Sequence, residues 1–298
     1  MENKCFHFCI AEHGLFVDFS KCEDGGLWLI PSFLPFKMEN IFSGKIFFKM
    51  DVWDGLGSHP IQLLENIGTF DTGNGKIAVN QIKGTGGYQY DIKNFAGKDC
   101  CLLQANHDFS QAKCKLFGNR NMRCFGLNTA LMLVFAFRGS QENTLLIHAS
   151  SIRCEGKGYA FVAKSGTGKS TQSSFWLRYI RNCDLINDDN PILRLQDDKV
   201  FLYGSPWSGK TPCYRNVKVE LCGIAKIKRA KSNSIEKNTP LVSFAFLMSS
   251  CSSMKWDHNV FTSICKILSD IISKTNIYTL NCLPNKESAL LCHKTFLK

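Results

Sequence analysis

One glycine-rich segment, Ala163–Ser170, has the residue types and spacing of a phosphate-binding loop. It reads Ala-Lys-Ser-Gly-Thr-Gly-Lys-Ser and matches the pattern Gly-x-x-x-x-Gly-Lys-Ser/Thr except for alanine at the first position. Gly166 and Gly168 allow the backbone to curl so that successive N–H groups point at phosphate oxygens. We expect Lys169 to reach the β- and γ-phosphates and the Ser170 hydroxyl to bind Mg²⁺. The pattern therefore predicts binding of ATP with Mg²⁺.

The predicted nucleotide-binding residues are Ala163, Lys164, Ser165, Gly166, Thr167, Gly168, Lys169, Ser170 and Thr171. The alternative interpretation is an ordinary glycine-rich turn before a helix. The surrounding sequence favours the phosphate loop, because a β-like run (residues 158–163) precedes it and a helical pattern follows from about residue 169 to 181. The dipole of that helix would add positive potential beneath the phosphates. Alanine is tolerated at position 163 if its φ is negative.

Two carboxylates, Asp188 and Asp189, follow Ser170 at distances of eighteen and nineteen residues, at the end of a short β-like run. Phosphoryl transfer needs such groups: one can hold the metal and the other can accept the proton of an attacking hydroxyl. The alternative is a solvated turn, since Asn-Asp-Asp-Asn-Pro is rich in turn formers. The phosphate loop upstream favours the catalytic interpretation.

Further polar residues surround this pair in the sequence. His148 lies in the apolar run Leu-Leu-Ile-His-Ala-Ser, one hairpin before the loop, where it is either an active-site residue or a hydrogen-bonded core histidine. The glycine- and proline-broken segment 204–215 carries Lys210 and Arg215, and cations beside a transferring phosphoryl group stabilise its charge. A surface loop is the alternative for this segment.

The elements that must position these residues suggest two regions. Residues 1–140 contain short β-like runs separated by glycine turns and close with a buried helix that is capped by Asn128 and runs to about Phe137. Residues 141–298 mix strands and helices, which predicts an α/β domain. Its expected strands cover residues 144–152, 158–163, 184–187, 192–196, 199–203, 223–229 and 276–281, and its expected helices 169–181, 258–273 and the segment after Pro284.

Composition limits the function classes. The 298-residue chain has no apolar run approaching the roughly 20 residues that span a bilayer, and its N-terminus lacks a signal-peptide pattern, so we expect a cytoplasmic protein with no membrane partner. Its fifteen cysteines are scattered without a C-x-x-C pair, which indicates that most of them are reduced core residues rather than parts of a disulfide framework or zinc site. The net charge of +11 is not clustered with aromatic residues, so we predict no nucleic-acid partner.

The order of His148, the glycine-rich loop and Asn187-Asp188-Asp189 resembles the catalytic domain of HPr kinase/phosphorylase over about residues 144–190. The segment Gly204-Ser-Pro-Trp-Ser-Gly-Lys210 is similar to a bacterial group of HPr kinase-like proteins. This resemblance implies a P-loop nucleotide-binding domain on a mixed sheet, as in HPr kinase and phosphoenolpyruvate carboxykinase, preceded here by a β-rich N-terminal region.

The resemblance also implies roles for individual residues. Lys169 would bind phosphate, Asp189 would accept the proton, and His148 would match the family's active-site histidine. Ser170 and Asp188 would bind or support the metal. Glu220 is a loose match to the family's metal-binding glutamate, and Arg229 is a candidate for its catalytic arginine. The N-terminal half does not resemble that of HPr kinase, so the expected acceptor is a serine-bearing protein or peptide in general rather than HPr in particular.

The sequence thus predicts an ATP- and Mg²⁺-dependent kinase that phosphorylates a serine of a protein or peptide. Two alternatives stay open: a non-catalytic ATP-binding regulatory module, and a kinase of a small-molecule hydroxyl. A metabolic enzyme of the phosphoenolpyruvate carboxykinase type is disfavoured, because no keto-acid pocket is visible and such enzymes are considerably larger. The oligomeric state is open, and a homo-oligomer is compatible with the sequence.

Overall fold

A computed structural model describes residues 4–40, 42, 44–209 and 211–297. The chain divides into two units, residues 1–138 and 139–298. Both contain a mixed β-sheet, and the first is rich in β-strands. No helix in the described ranges is long and apolar enough to cross a membrane.

The first unit is built on an eight-stranded sheet in the order β1-β2-β3-β8-β7-β6-β5-β4. Its strands are β1 (Cys5–Ile10), β2 (His13–Lys21), β3 (Ile46–Trp53), β4 (Leu64–Asp71), β5 (Gly75–Ile82), β6 (Tyr88–Asn94), β7 (Asp99–Ala105) and β8 (Gln111–Leu116). The β2–β3 and β3–β8 pairs are parallel and the rest antiparallel. Short 3₁₀ helices cover Leu27–Leu29, Pro31–Phe36 and Ile61–Leu63.

The closing helix, α1 (Arg120–Gly139), begins nine residues earlier than a helix capped by Asn128 would. The cap is Asn119 rather than Asn128, because the Asn119 Oδ1 accepts a hydrogen bond from the Met122 N–H at 3.1 Å. The predicted apolar segment of this helix is confirmed as core, since Leu131, Val134 and Phe135 are fully buried.

The second unit is built on a nine-stranded mixed sheet. Its strands are β9 (Thr144–Leu146), β10 (Ala149–Cys154), β11 (Lys157–Val162), β12 (Cys183–Asn187), β13 (Ile192–Gln196), β14 (Lys199–Tyr203), β15 (Lys218–Arg229), β16 (Ser234–Lys237) and β17 (Asn276–Cys282). The long strand β15 pairs with β11 on one side and with β14 and then β17 on the other. In the described part of this second sheet, only the β11–β15 and β15–β17 pairs are parallel.

Four α-helices accompany this sheet: α2 (Lys169–Tyr179), α3 (Pro240–Met248), α4 (His258–Lys274) and α5 (Lys286–Phe296). A short 3₁₀ helix covers Ser140–Glu142. Trp176 of α2 packs with Phe161 of β11 and with Ala289 of α5 in a buried apolar cluster that also contains Ile227 of β15. This cluster holds α2 against the sheet, so the start of α2 has a defined position at the end of β11.

The predicted strand 144–152 is wrong as a single element. It is broken at residues 147–148, where the Ile147 N–H donates to the Pro191 carbonyl and the His148 N–H to the Ser250 carbonyl. These bonds replace strand pairing, so the chain crosses from β9, which pairs with β13, to β10, which lies between β11 and β12. His148 therefore lies in the crossing rather than within a strand.

The expectation that most of the cysteines are reduced is confirmed, since thirteen are free, and one pair is joined. Cys154 ends β10 and faces Cys183 at the start of β12 in register, and the two form a disulfide. Sequence spacing could not indicate this pair, because the two residues meet only through the β10–β12 register.

Candidate functional site

The glycine-rich loop connects the end of β11 to the start of α2. Gly166 and Gly168 have φ values of 74° and 129°, a region that side chains disfavour, and no atom lies within 4 Å of a Cβ built on either residue. The helix starts at Lys169 with Gly168 as its N-cap and no side-chain cap. The first N–H groups of a helix have no intrahelical partner, so this end of α2 offers donors and positive potential to an anion. Ser165 and Ser170 are exposed.

Lys169 is the buried cation of this loop. Its Nζ lies 2.8 Å from His148 Nε2 and 3.1 Å from the carbonyl oxygen of Ala163. Burial lowers the pKa of the Lys169 ammonium, because a charged group loses solvation there, while Asp189 and Asp188 act in the opposite direction. The lysine is therefore a desolvated charge held at the mouth of the loop.

His148 connects this lysine to Asp189. His148 Nδ1 lies 2.9 Å from Asp189 Oδ1, on the opposite side of the ring from Lys169. Because the ammonium can only donate, we assign Nε2 as acceptor and Nδ1–H as donor to the carboxylate, a neutral imidazole. Asn190 Nδ2 donates to Asp189 Oδ2 at 2.8 Å, and the Asp189 side chain remains 31% exposed. The carboxylate is thus oriented through both oxygens and still reachable from outside.

Asp188 points to a different part of the site and is buried. Its Oδ1 accepts a hydrogen bond from Ser150 Oγ at 2.8 Å, and Ser150 Oγ lies 2.6 Å from Ser173 Oγ. Ser173 is one helical turn beyond Ser170 on α2, so the two serines share a helix face. The serine pair places the Asp188 carboxylate beside the first turn of α2.

The fully buried Asn187 organises the turn that carries both aspartates. Its Oδ1 accepts hydrogen bonds from the N–H groups of Asp189 (2.9 Å) and Asn190 (2.8 Å). Its Nδ2 donates to the segment after β14, where the acceptors within reach include Ser205 Oγ and the Trp207 carbonyl oxygen, each at 3.1 Å. One amide therefore joins the carboxylate turn to the loop that follows β14.

The cationic side chains that the sequence suggested for phosphoryl stabilisation lie in different parts of the second unit. Arg229, at the end of β15, donates to the carbonyl oxygens of Gly166 and Thr167, so it supports the glycine-rich loop. Arg215 pairs with Asp184 at 2.8 Å and donates to the Leu185 carbonyl, which ties it to β12. Lys210 lies outside the described residues.

Glu220 is not brought to the other candidate residues. It pairs in register with Lys157, the first residue of β11, whereas the glycine-rich loop follows Val162 at the last. Five residues of strand separate the two ends, about 17 Å at about 3.3 Å per residue. Glu220 instead forms an ion pair with Lys199 at 2.9 Å. The parallel register of β11 and β15 thus gives no support to a role for Glu220 as a metal ligand.

Mg²⁺ prefers hydroxyl and carboxylate oxygens and usually keeps several waters. The exposed Ser170 hydroxyl and the Asp188 carboxylate provide that donor set on adjacent elements. Among the residues that the structure describes, no cluster of three or more His, Cys, Asp or Glu side chains could hold a metal ion by itself. A two-ligand site completed by water and phosphate fits these residues better than an all-protein metal site.

Three site residues were not predicted as such: Ser150, Ser173 and Asn187. Ser150 follows His148 by two positions, the spacing of one strand face, and Ser173 follows Ser170 by one helical turn. Both spacings were visible in the sequence. The bond from Ser150 to Asp188 depends on the pairing of β10 with β12, and the contact of Ser150 with Ser173 depends on the packing of α2 on β10. The sequence encodes neither of these locally.

No protein-family model matches the chain, and the search of curated proteins found no match. Among solved structures, the chain is similar to the Hpr(Ser) kinase/phosphatase from Coxiella burnetii, with 12% sequence identity and a TM-score of 0.31, over 51% of this chain and 96% of that chain. A functional assignment therefore depends on the geometry of the site itself.

Proposed function

We propose that this protein is an ATP- and Mg²⁺-dependent kinase that transfers the γ-phosphoryl group to a serine hydroxyl of a protein or peptide. One observation carries the proposal: a continuous series of contacts joins the glycine-rich loop to a carboxylate. It runs from the Ala163 carbonyl through Lys169 Nζ and the His148 ring to Asp189, with steps of 3.1, 2.8 and 2.9 Å. A phosphate site and a proton acceptor within two side chains of each other are what phosphoryl transfer requires.

In this proposal the loop and the start of α2 bind the triphosphate. Backbone N–H groups of the loop and of the first turn of α2 would bind the β- and γ-phosphates, while the Thr167 N–H donates to the Lys164 carbonyl within the loop. Lys169 would exchange its contact with the Ala163 carbonyl for a γ-phosphate oxygen. Since the ammonium is already desolvated, its interaction with the phosphoryl group is stronger than it would be in water. Arg229 keeps the loop in shape by binding two of its carbonyls.

Asp189 receives the proton of the acceptor. The serine oxygen attacks the γ-phosphorus, the bond from that phosphorus to the β–γ bridging oxygen breaks, and ADP leaves with the electron pair. The serine proton passes to Asp189, whose two oxygens each accept one hydrogen bond and retain a further lone pair. His148 orients this carboxylate and separates it from the ammonium of Lys169.

Ser170 and Asp188 would hold Mg²⁺, which neutralises charge on the β- and γ-phosphates when it is bound. The hydrogen bond from Ser150 fixes the Asp188 carboxylate, and the Ser150–Ser173 contact fixes it relative to α2. Glu220 has no part in this proposal, because it lies at the other end of β15.

The choice of a serine in a protein or peptide follows from the motif order that resembles HPr kinase. The test is incubation with γ-labelled ATP and a lysate of the source cell, followed by identification of the labelled species. We expect Asp189→Asn to bind ATP and to transfer phosphate about 100-fold more slowly or worse. We expect Lys169→Met to lose most ATP affinity.

Exposed residues offer matched controls. Asp197→Asn and Lys157→Met make the same chemical changes away from the site, and both should behave as wild type. Wild-type transfer by both Lys169→Met and Asp189→Asn would refute the kinase proposal. Tight ATP binding with no labelled product would indicate a regulatory module, and a labelled metabolite would indicate a small-molecule acceptor.

A further inference from the structure

Positive charge is distributed unequally between the two units. Residues 139–298 contain 22 Lys and Arg against 12 Asp and Glu, a formal net charge of +10. Residues 1–138 contain 14 against 13, a net charge of +1. Nearly all the excess positive charge therefore belongs to the unit that carries the candidate site.

Within the second unit, ion pairs neutralise acidic side chains at the end of the sheet that is remote from the glycine-rich loop. Glu220 pairs with Lys199, Asp184 with Arg153, and Asp198 with Lys274. By strand register, Asp184 and Glu220 lie near the level at which β11 begins, and Asp198 directly precedes β14. Three acidic side chains of the second unit are therefore balanced by a neighbouring cation.

At the end of the sheet that carries the glycine-rich loop, the described residues include lysines without acidic partners. Beyond the Val162–Lys226 pair, β15 continues for three residues, and its last residue, Arg229, contacts the loop. On either side of Arg229, Lys228 and Lys231 are exposed, and neither forms an ion pair with an acidic side chain in the described part of the chain. The loop end of β15 and the residues just after it thus carry two exposed lysines without an acidic partner in the described ranges, here named the basic strip.

The distance from this strip to the reacting carboxylate follows from the strand order. His148 and Asp189 lie at the loop end of β10, and β15 lies two strands away across β11. Two strand spacings amount to about 10 Å, which an extended peptide covers in about three residues. A serine placed at Asp189 would therefore have its third neighbour over Lys228 and Lys231.

We propose that Lys228 and Lys231 bind an acidic segment of the phospho-acceptor, with Asp or Glu about three residues from the phosphorylated serine. This inference rests on the proposed function, and it adds the chemistry of the partner. A peptide fits better than a single-stranded nucleic acid, because none of the large exposed apolar side chains in the described part of residues 139–298 is aromatic, and single-strand binding uses exposed aromatic rings for stacking.

The test is a binding measurement that does not depend on transfer. Two fluorescein-labelled eleven-residue peptides with a central serine are compared by fluorescence anisotropy, one with Glu and one with Lys three residues to either side. We expect the Glu peptide to bind more tightly, and the double variant Lys228→Glu/Lys231→Glu to weaken it about tenfold, the effect of reversing two exposed charges. The matched control Lys157→Glu/Lys266→Glu makes the same net charge change at other exposed positions, and its effect should stay within about twofold.

Three results would overturn the inference. The first is equal binding of the Glu and Lys peptides, and the second is a Lys228→Glu/Lys231→Glu variant that loses ATP affinity but not peptide affinity. The third is an eleven-nucleotide single strand that binds through these lysines more tightly than the Glu peptide does. Titration of the wild-type protein with a fluorescent ATP analogue distinguishes failure of the acidic-peptide inference from failure of the kinase proposal. If that analogue does not bind, the kinase proposal fails, whereas the peptide comparison is decided by its own result.

Discussion

Removal of the Asn187 side-chain amide should destabilise the region around the candidate site. The residue is fully buried, and its two acceptor bonds and two amide hydrogens connect the carboxylate turn to the segment after β14. Four hydrogen bonds at about 1 kcal/mol each give a loss of about 4 kcal/mol for Asn187→Ala, because the partners left behind are buried as well. We also expect Asp189 to lose its orientation, so ATP affinity should change less than transfer does.

Urea denaturation measures the free energy of unfolding, and hydrogen–deuterium exchange locates the change. Exchange should rise in residues 187–190 and 204–209 and stay constant in the first unit. Asn66→Ala is the matched control, since it removes the same group from an exposed hydrogen bond to Asn80 and should cost less than about 0.5 kcal/mol. If Asn187→Ala unfolds at the wild-type urea concentration with unchanged exchange, the role assigned to Asn187 is wrong.

Three further predictions concern stability and covalent state. Because burial lowers the pKa of Lys169 in the folded protein, its charge costs stability below that lowered pKa and the cost fades as pH rises toward the ordinary 10.5. Lys169→Met should therefore raise the melting temperature of the nucleotide-free protein at pH 7, with a smaller gain at pH 10.5, and an equal gain at both pH values would contradict this. Gly168→Ala should lower the free energy of unfolding by about 1–3 kcal/mol from backbone strain alone. The control Gly57→Ala, at a position with open space and no positive φ, should lower it by less than about 0.5 kcal/mol. Equal urea midpoints for the two variants would refute the strained loop. Thiol titration of the denatured protein should find thirteen free cysteines before reduction and fifteen after, and fifteen throughout would exclude the Cys154–Cys183 disulfide.

Much of the second unit could be predicted from local patterns. The strands Ile192–Gln196 and Lys199–Tyr203 have the predicted bounds, and the helix α4 differs by one residue. Helix α3 was missed, because seven of its nine residues are apolar and give no amphipathic period. Its start carried a readable signal, since Thr239 caps the helix and Pro240 occupies the first position.

The part of the candidate site that is contiguous in sequence could be predicted. The positions of residues that depend on strand register could not. The structure brings the glycine-rich loop, Lys169, His148 and Asp189 together, as the sequence suggested. The parallel register of β11 and β15 places Glu220 at the far end and Arg229 at the loop, and spacing alone could not distinguish these outcomes. The roles of these residues, the acceptor class and the cytoplasmic location stay predictions.

The most direct test of the central claim is a crystal structure of the protein with Mg²⁺ and a non-hydrolysable ATP analogue. We predict the β- and γ-phosphates within the loop 163–171, Lys169 Nζ on a γ-phosphate oxygen, and the metal between Ser170 and Asp188. An analogue bound elsewhere, with Lys169 still on the Ala163 carbonyl and the loop empty, would contradict the proposed phosphate site and with it the kinase assignment.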